Sequence, residues 1–296
     1  GGGDYLEDEF TAVGRTYRWI APDTINNVII RNGDHAPVNV LIAPQKQQAF
    51  SIGTQWQLGK TSIQAEGTAT VFDRNTFSEF DSQDDVGYAA LLKVAHEIRL
   101  SADSLPWKMN LFGNHEYVQQ DFNRLERFRA VEFERNWNVL GLSLGGDQHV
   151  STAGVDFLKD GLGKLSIGGE SFLSGSAISG YKGLVYSDLK RENFKAFLDA
   201  SYLRTDGLVN TDFMRHRGEL NRRFGKLLVG YRDEHEINRF KEEGDTLASN
   251  SYRFYEWRSY AEIGDSTRSF VRAFYGGRTD WIADTLELSP AAVAEQ

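Results

Sequence analysis

The chain has 296 residues and a formal charge of −9, with 29 Gly, 19 Phe, 12 Tyr and 6 Trp against 5 Pro, 2 Met and no Cys. The acidic balance withholds the basic face that nucleic acid requires, and the absence of Cys excludes disulfides and thiolate metal sites. No run approaches the ~18 consecutive apolar residues of a membrane-spanning helix, whereas a β-barrel stays open as a reading because alternating strands keep mean hydropathy low.

In chain order, residues 1–48 read as an N-terminal irregular and β region, 49–282 as an antiparallel β-barrel-like domain, and 283–296 as a C-terminal tail. Ile52, Thr54, Trp56 and Leu58 alternate with Ser51, Gly53, Gln55 and Gln57. Beyond a tight turn at Leu58-Gly59-Lys60, Ile63, Ala65, Gly67, Ala69 and Val71 alternate with Ser62, Gln64, Glu66, Thr68 and Thr70. A strict period of two over this length is a strand signal that no helix imitates. The pattern returns with Leu92 and Val94 opposite Lys93, with Met109 and Leu111 opposite Lys108 and Asn110, and with Tyr255 and Trp257 opposite Glu256 and Arg258. A second tight turn at Phe224-Gly225-Lys226 joins Phe213–Arg222 to Leu227–Ile237.

Short connections at 58–61, 101–106, 223–226 and 264–267 alternate with long polar ones at 73–86, 119–127, 204–212 and 239–251, so one end of the sheet carries turns and the other loops. Outer-membrane barrels have that asymmetry. The fold expected is all-β: an antiparallel up-and-down meander of about 12 to 14 long strands, forming a transmembrane β-barrel or a segment of one. Two stretches sit outside the pattern. Glu126–Asn138 reads as a strand with charges on both faces, which must project beyond a membrane or be covered by protein, and 141–179 yields no single register.

Two clusters are candidate sites. Asp73, Asn75, Asp81, Asp84 and Asp85 crowd one loop with the hard oxygen donors that calcium favours, although the spacing is not that of an EF-hand, and a solvated acidic loop is the alternative. Arg127, Arg129, Glu132, Glu134 and Arg135 read as a charged constriction selecting solutes in a lumen, joined by Arg222 from a second basic cluster that includes Arg215, Arg217 and Arg223; cross-strand ion pairing is the alternative. The His-Glu neighbours at 96–97, 115–116 and 235–236 point to opposite faces if on strands and cannot act as local pairs. No HExxH helix and no serine nucleophile elbow is present, so no enzymatic activity is expected.

Gly3-Asp4-Tyr5 with Asp8-Glu9-Phe10, the block Phe72 to Ser78 leading to Asp81 and Asp84-Asp85-Val86-Gly87-Tyr88-Ala89, and Glu126-Arg127-Phe128-Arg129 with Val131 to Trp137 resemble segments of large outer-membrane barrel proteins of Bacteroidota-type bacteria. The resemblance spans roughly residues 1 to 140. It implies a Gram-negative outer-membrane location and a longer chain, and the ending Ser289 to Gln296 departs from the aromatic-ended last strand common in such barrels. The function expected is a porin-like channel, transport or secretion component, with outer-membrane lipid and other outer-membrane or periplasmic proteins as partners, and no cofactor apart from the candidate calcium. The alternative is a soluble or surface-exposed sheet, at the cell surface or in the periplasm, that binds a partner or glycan.

Overall fold

The computed structural model describes residues 3–11, 14–36, 43–78, 84–102, 104–242, 246–265, 269–284 and 287–290. The chain divides into two units, one of residues 1–44 with 75–78 and one of 45–74 with 79–296. In the first, β1 (Tyr5–Thr11) pairs with β2 (Gly14–Trp19), and β3 (Asp23–Ile25) with β4 (Val28–Ile30). Asn26 and Asn27, at φ 54° and 64°, make the tight turn of the second hairpin, in the left-handed conformation that asparagine tolerates.

The second unit is an antiparallel meander of twelve long strands: β5 (Lys46–Leu58), β6 (Thr61–Asp73), β7 (Val86–Arg99), β8 (Trp107–Val118), β9 (Gln148–Lys159), β10 (Gly163–Ser174), β11 (Ile178–Arg191), β12 (Phe194–Gly207), β13 (Asn210–Phe224), β14 (Leu227–Lys241), β15 (Tyr252–Asp265) and β16 (Ser269–Asp284). A short β17 (Glu287–Pro290) pairs with the end of β16, inside the segment expected to be a tail. Gly59 and Gly225, at φ 61° and 59°, open the turns between β5 and β6 and between β13 and β14, where a two-residue hairpin needs a positive φ.

Directly opposed residues share a face, so the registers trace whole rows across the sheet. One row runs Gln55, Gln64, Lys93, Asn114, Thr152, Glu170, Lys182, Leu203, Phe213, Asn238; its neighbour runs Trp56, Ile63, Val94, Gly113, Ala153, Gly169, Gly183, Tyr202, Met214, Ile237. Across β5 to β14 the sheet therefore has one mainly polar and one mainly apolar face, as the alternation requires.

Three expectations are corrected. Residues 126–138 form no strand: they belong to an excursion between β8 and β9 that carries one helical turn, α1 (Phe133–Asn136). On a strand, Phe133 and Trp137 would share a face with Arg129 and Arg135; the helical turn instead sets the two rings together, 6.3 Å apart, and sends Arg135 away. The stretch 204–212 is no long loop, because β12 and β13 run to Gly207 and Asn210 and the Asn210 side chain accepts a bond from the Gly207 amide. Residues 148–191 are three regular strands whose alternation is blurred by Gly154, Gly168, Gly169 and Gly183, which have no side chain to alternate.

The excursion packs on the polar face near the strand ends that carry the longer loops. Trp137 and Val139 are buried with Phe172, Ile178, Leu203 and Phe213, and Phe133, Leu142 and Leu144 pack around them. Its polar contacts run from Gln47 on β5, whose amide reaches the Asn123 and Arg124 carbonyls, to Asn238 on β14, which bonds Asn138. A flat sheet would separate β5 from β14 by about 43 Å at ~4.8 Å per strand. With a helical turn and several bends between Arg124 and Asn138, the segment is too short for that, so the sheet curls around it with the polar face inside.

Phe172 is fully buried at the centre of this core. Phe172→Ala is expected to cost ~3–5 kcal/mol, whereas Ile52→Ala, on the open apolar face, is expected to change little; equilibrium urea unfolding of the folded chain compares the two.

Candidate functional site

Residues 119–147 plug the loop end of the curled polar face. Trp137 lies against Gly180, where a Cβ would meet its ring at 3.0 Å, and edges onto Phe172 with centroids 5.5 Å apart. A residue with a side chain at 180 would push the indole off the sheet. The Lys182 ammonium sits 4.0 Å from the Trp137 ring centroid and pairs with Glu170 at 3.1 Å, so this buried cation is satisfied on both sides.

Asn138, at φ 55°, anchors the far end of the plug. It exchanges amide hydrogen bonds of 3.0 Å with Asn238 and donates to Thr211 at 3.0 Å, while Thr211 also bonds Thr205 at 2.7 Å. All four side chains are buried. Nearby, Arg215 on β13 donates to the Asn136 side chain at 2.9 Å.

The residues expected to line a selective constriction divide among different tasks. Arg129 is a clamp: its guanidinium grips Glu116 at 2.6 and 2.8 Å, reaches Gln148 at 2.6 Å and stacks 4.5 Å from the Phe133 ring centre. With 12% of its side chain exposed, it holds the plug to β8 and β9. Arg127 braces the loop by donating to the carbonyls of Arg129, Ala130 and Val131. Glu132 and Arg135 form a surface pair at 3.2 Å, and the backbone carbonyl of Glu134 accepts from Val139 to close the turn after α1. Arg222 lies on the apolar face, on the row parity of Leu220 and Phe224, and stacks 5.2 Å from the Phe224 ring centroid. It was expected on the polar face because its neighbours in sequence are basic; the register assigns Arg217 and Arg223 to that face and Arg222 to the other.

Of the candidate calcium residues, Asp81 lies outside the described residues. Asn75 belongs to the first unit and caps a local turn, its side chain accepting from the Phe77 amide, while Asp73, Asp84 and Asp85 belong to the second. Among the described residues no group of three or more His, Asp or Glu is placed to hold a metal ion.

Between plug and sheet lies a cavity of about 760 Å³, bordered by Glu66, Lys93, Asn114, Glu116, Glu170 and Lys182. Towards the turn end the polar face continues uncovered and carries charges on every strand from β12 to β16, among them Lys195 with Glu219 at 3.4 Å and Arg272 with Glu262 at 3.0 Å. Strand alternation contains these charges in the sequence, where they are more widely spaced than those at 126–135.

The apolar face has an order of its own. Tyr88, Tyr117, Tyr181, Tyr202 and Trp281 lie towards the loop ends of their strands, and Trp56, Trp107, Phe157, Phe194 and Phe224 towards the turn ends. Between the two bands stand exposed aliphatic side chains such as Ile52, Ile167, Val185 and Val229. The polar groups at mid-height find partners: His216 pairs with Asp233 at 2.7 Å and Tyr231 with Tyr255 at 2.7 Å, while Arg253, opposite Trp281 in the loop-end band, donates to His235 at 3.0 Å. Comparison with family models, curated proteins and solved structures returned no match.

Asn138→Ala strands the buried Asn238 amide, and is expected to cost ~1–3 kcal/mol and to expose the plug at Arg124 and Arg127 to trypsin. The double variant Asn138→Ala, Asn238→Ala is expected to lose less than the sum of the single losses, read from thermal unfolding and tryptic mapping.

Proposed function

We propose that this chain is the wall and internal plug of an outer-membrane β-barrel: a gated channel or transport component, without enzymatic activity, whose polar face surrounds an aqueous path. The observation that carries the reading is the pair of aromatic bands enclosing an exposed aliphatic belt. Trp107 and Tyr117 are separated by about 34 Å along β8, which a strand tilt of ~40° reduces to about 25 Å, the height of the lipid-facing band of such barrels. Tyrosine and tryptophan suit the two membrane–water boundaries because each joins an apolar ring to a polar atom.

Other features agree. The long strands run from 12 to 16 residues, beyond the ~9–11 needed for a tilted crossing. Ile52 is 80% exposed and Val271 is 70% exposed, an expense that water would impose and lipid would not. Lys159 over Trp107 and Arg222 over Phe224 stand at the turn-end rim, where long cations lay their stems on apolar surface and keep their charge in water. The polar pairs at mid-height satisfy each other, the condition under which such groups persist in hydrocarbon.

The plug gives the path a gate. With Trp137 and Asn138 in place the loop end is obstructed, and solute passage requires the segment to move or a route around it. The purified chain is expected to be monodisperse and β-rich only with detergent, and a folded monomer in plain buffer would instead support a surface sheet whose apolar faces cover one another. In planar bilayers the wild type is expected to conduct weakly and Asn138→Ala, Asn238→Ala more strongly; equal conductance would remove the gating role from the plug.

A further inference from the structure

On the uncovered turn end of the polar face, the register sets Arg232 on β14 directly opposite Arg258 on β15. Like charges at opposed positions of an antiparallel pair repel, with Cβ atoms ~5 Å apart, and sequences usually avoid them. Among the described residues Arg232 makes no ion pair. Arg258 has Glu256 alone, at 3.9 Å, and Arg278 shares that carboxylate at 3.6 Å.

Two of the other carboxylates bordering the arginines are already engaged. Glu219, opposite Arg232 on β13, accepts from Asn221 at 3.0 Å, Tyr260 at 2.9 Å and Lys195 at 3.4 Å. Glu262 is taken by Arg272. Glu234 and Glu256 oppose each other one row nearer the plug, which confines the positive patch to one side. The two arginines border a pocket of about 380 Å³ with Arg272, Asn221, Tyr260 and the engaged Glu219, and the Arg258 guanidinium lies over the Phe274 ring at 5.0 Å.

From this geometry we propose that Arg232 and Arg258 form a binding site for a dianionic tetrahedral oxyanion of the phosphate type. Two guanidinium forks on adjacent strands can each give parallel N–H bonds to one anion, and a dianion neutralises both where a single carboxylate would leave one charge over. As the class of solute offered to the proposed path, the site rests on the reading of this face as its aqueous lining; binding itself is read without a membrane.

The probe is inorganic phosphate, titrated by calorimetry into the folded chain in a phosphate-free chloride buffer. One site is expected, with Arg232→Gln and Arg258→Gln each weakening it at least ~10-fold and Arg222→Gln, on the opposite face, leaving it unchanged. Without phosphate, Arg232→Gln is expected to melt no lower than wild type, because repulsion is removed, while the rise in Tm that phosphate gives wild type disappears. Absence of saturable phosphate binding, or unchanged affinity in both arginine variants, overturns the site and leaves the barrel reading standing. Phosphate binding by a chain folded in plain buffer keeps the site and removes the barrel.

Discussion

Each strand from β5 to β16 has to satisfy two faces that no single solvent satisfies. Side chains alternate every residue, so a row that opens with Gln55 and Gln64 lies beside one that opens with Trp56 and Ile63, and a slip of one residue would exchange them across the sheet. The rest of the second unit follows from keeping these surfaces apart. Curling puts the charged surface inside, where arginines, lysines and carboxylates find one another, and leaves the aliphatic surface outside.

The internal core is small because most inward positions are polar, and it exists where the plug supplies the missing apolar mass. Trp137, Val139 and Phe133 come from the excursion, and Phe172, Ile178, Leu203 and Phe213 from the four successive strands β10 to β13. Around that contact the polar groups close in pairs: Arg129 on Glu116, Lys182 on Glu170, Asn138 on Asn238. The segment is attached by hydrogen bonds, ion pairs and one cluster of rings, in which each net hydrogen bond contributes only ~1 kcal/mol while an orphaned partner costs more. The same asymmetry sets Arg232 and Arg258 apart, because they oppose each other across β14 and β15 with Glu256 as the one carboxylate in ion-pair reach among the described residues.

The sheet was legible in the sequence wherever side chains alternate in size and polarity: β5, β6, β7, β8 and β15 carry the faces that their residues announce. Legibility failed where glycine removed the signal, in β9 to β11, and where a helical turn imitated a charged strand, at 126–138. It also failed at Arg222, whose face is set by strand register and not by the company of basic neighbours. Within the site, Arg129 was singled out for its charge, yet its role depends on Glu116, Gln148 and Phe133, which local sequence cannot bring together. The aromatic bands were hidden for a related reason: Tyr88, Tyr117, Tyr181 and Tyr202 become one band only when strands running in opposite directions are aligned.

The chain contains no cysteine, so a single introduced cysteine can carry a polarity-sensitive fluorophore without background labelling. The most direct measurement compares this probe at Leu220 and at Arg217, which lie on opposite faces of β13, in the chain reconstituted into vesicles containing nitroxide-labelled lipid. Emission from position 220 should be that of a hydrocarbon environment and be quenched by the lipid nitroxide, while position 217 should report water and be quenched by iodide. Aqueous emission and iodide quenching at both positions would contradict the assignment of the apolar face to lipid.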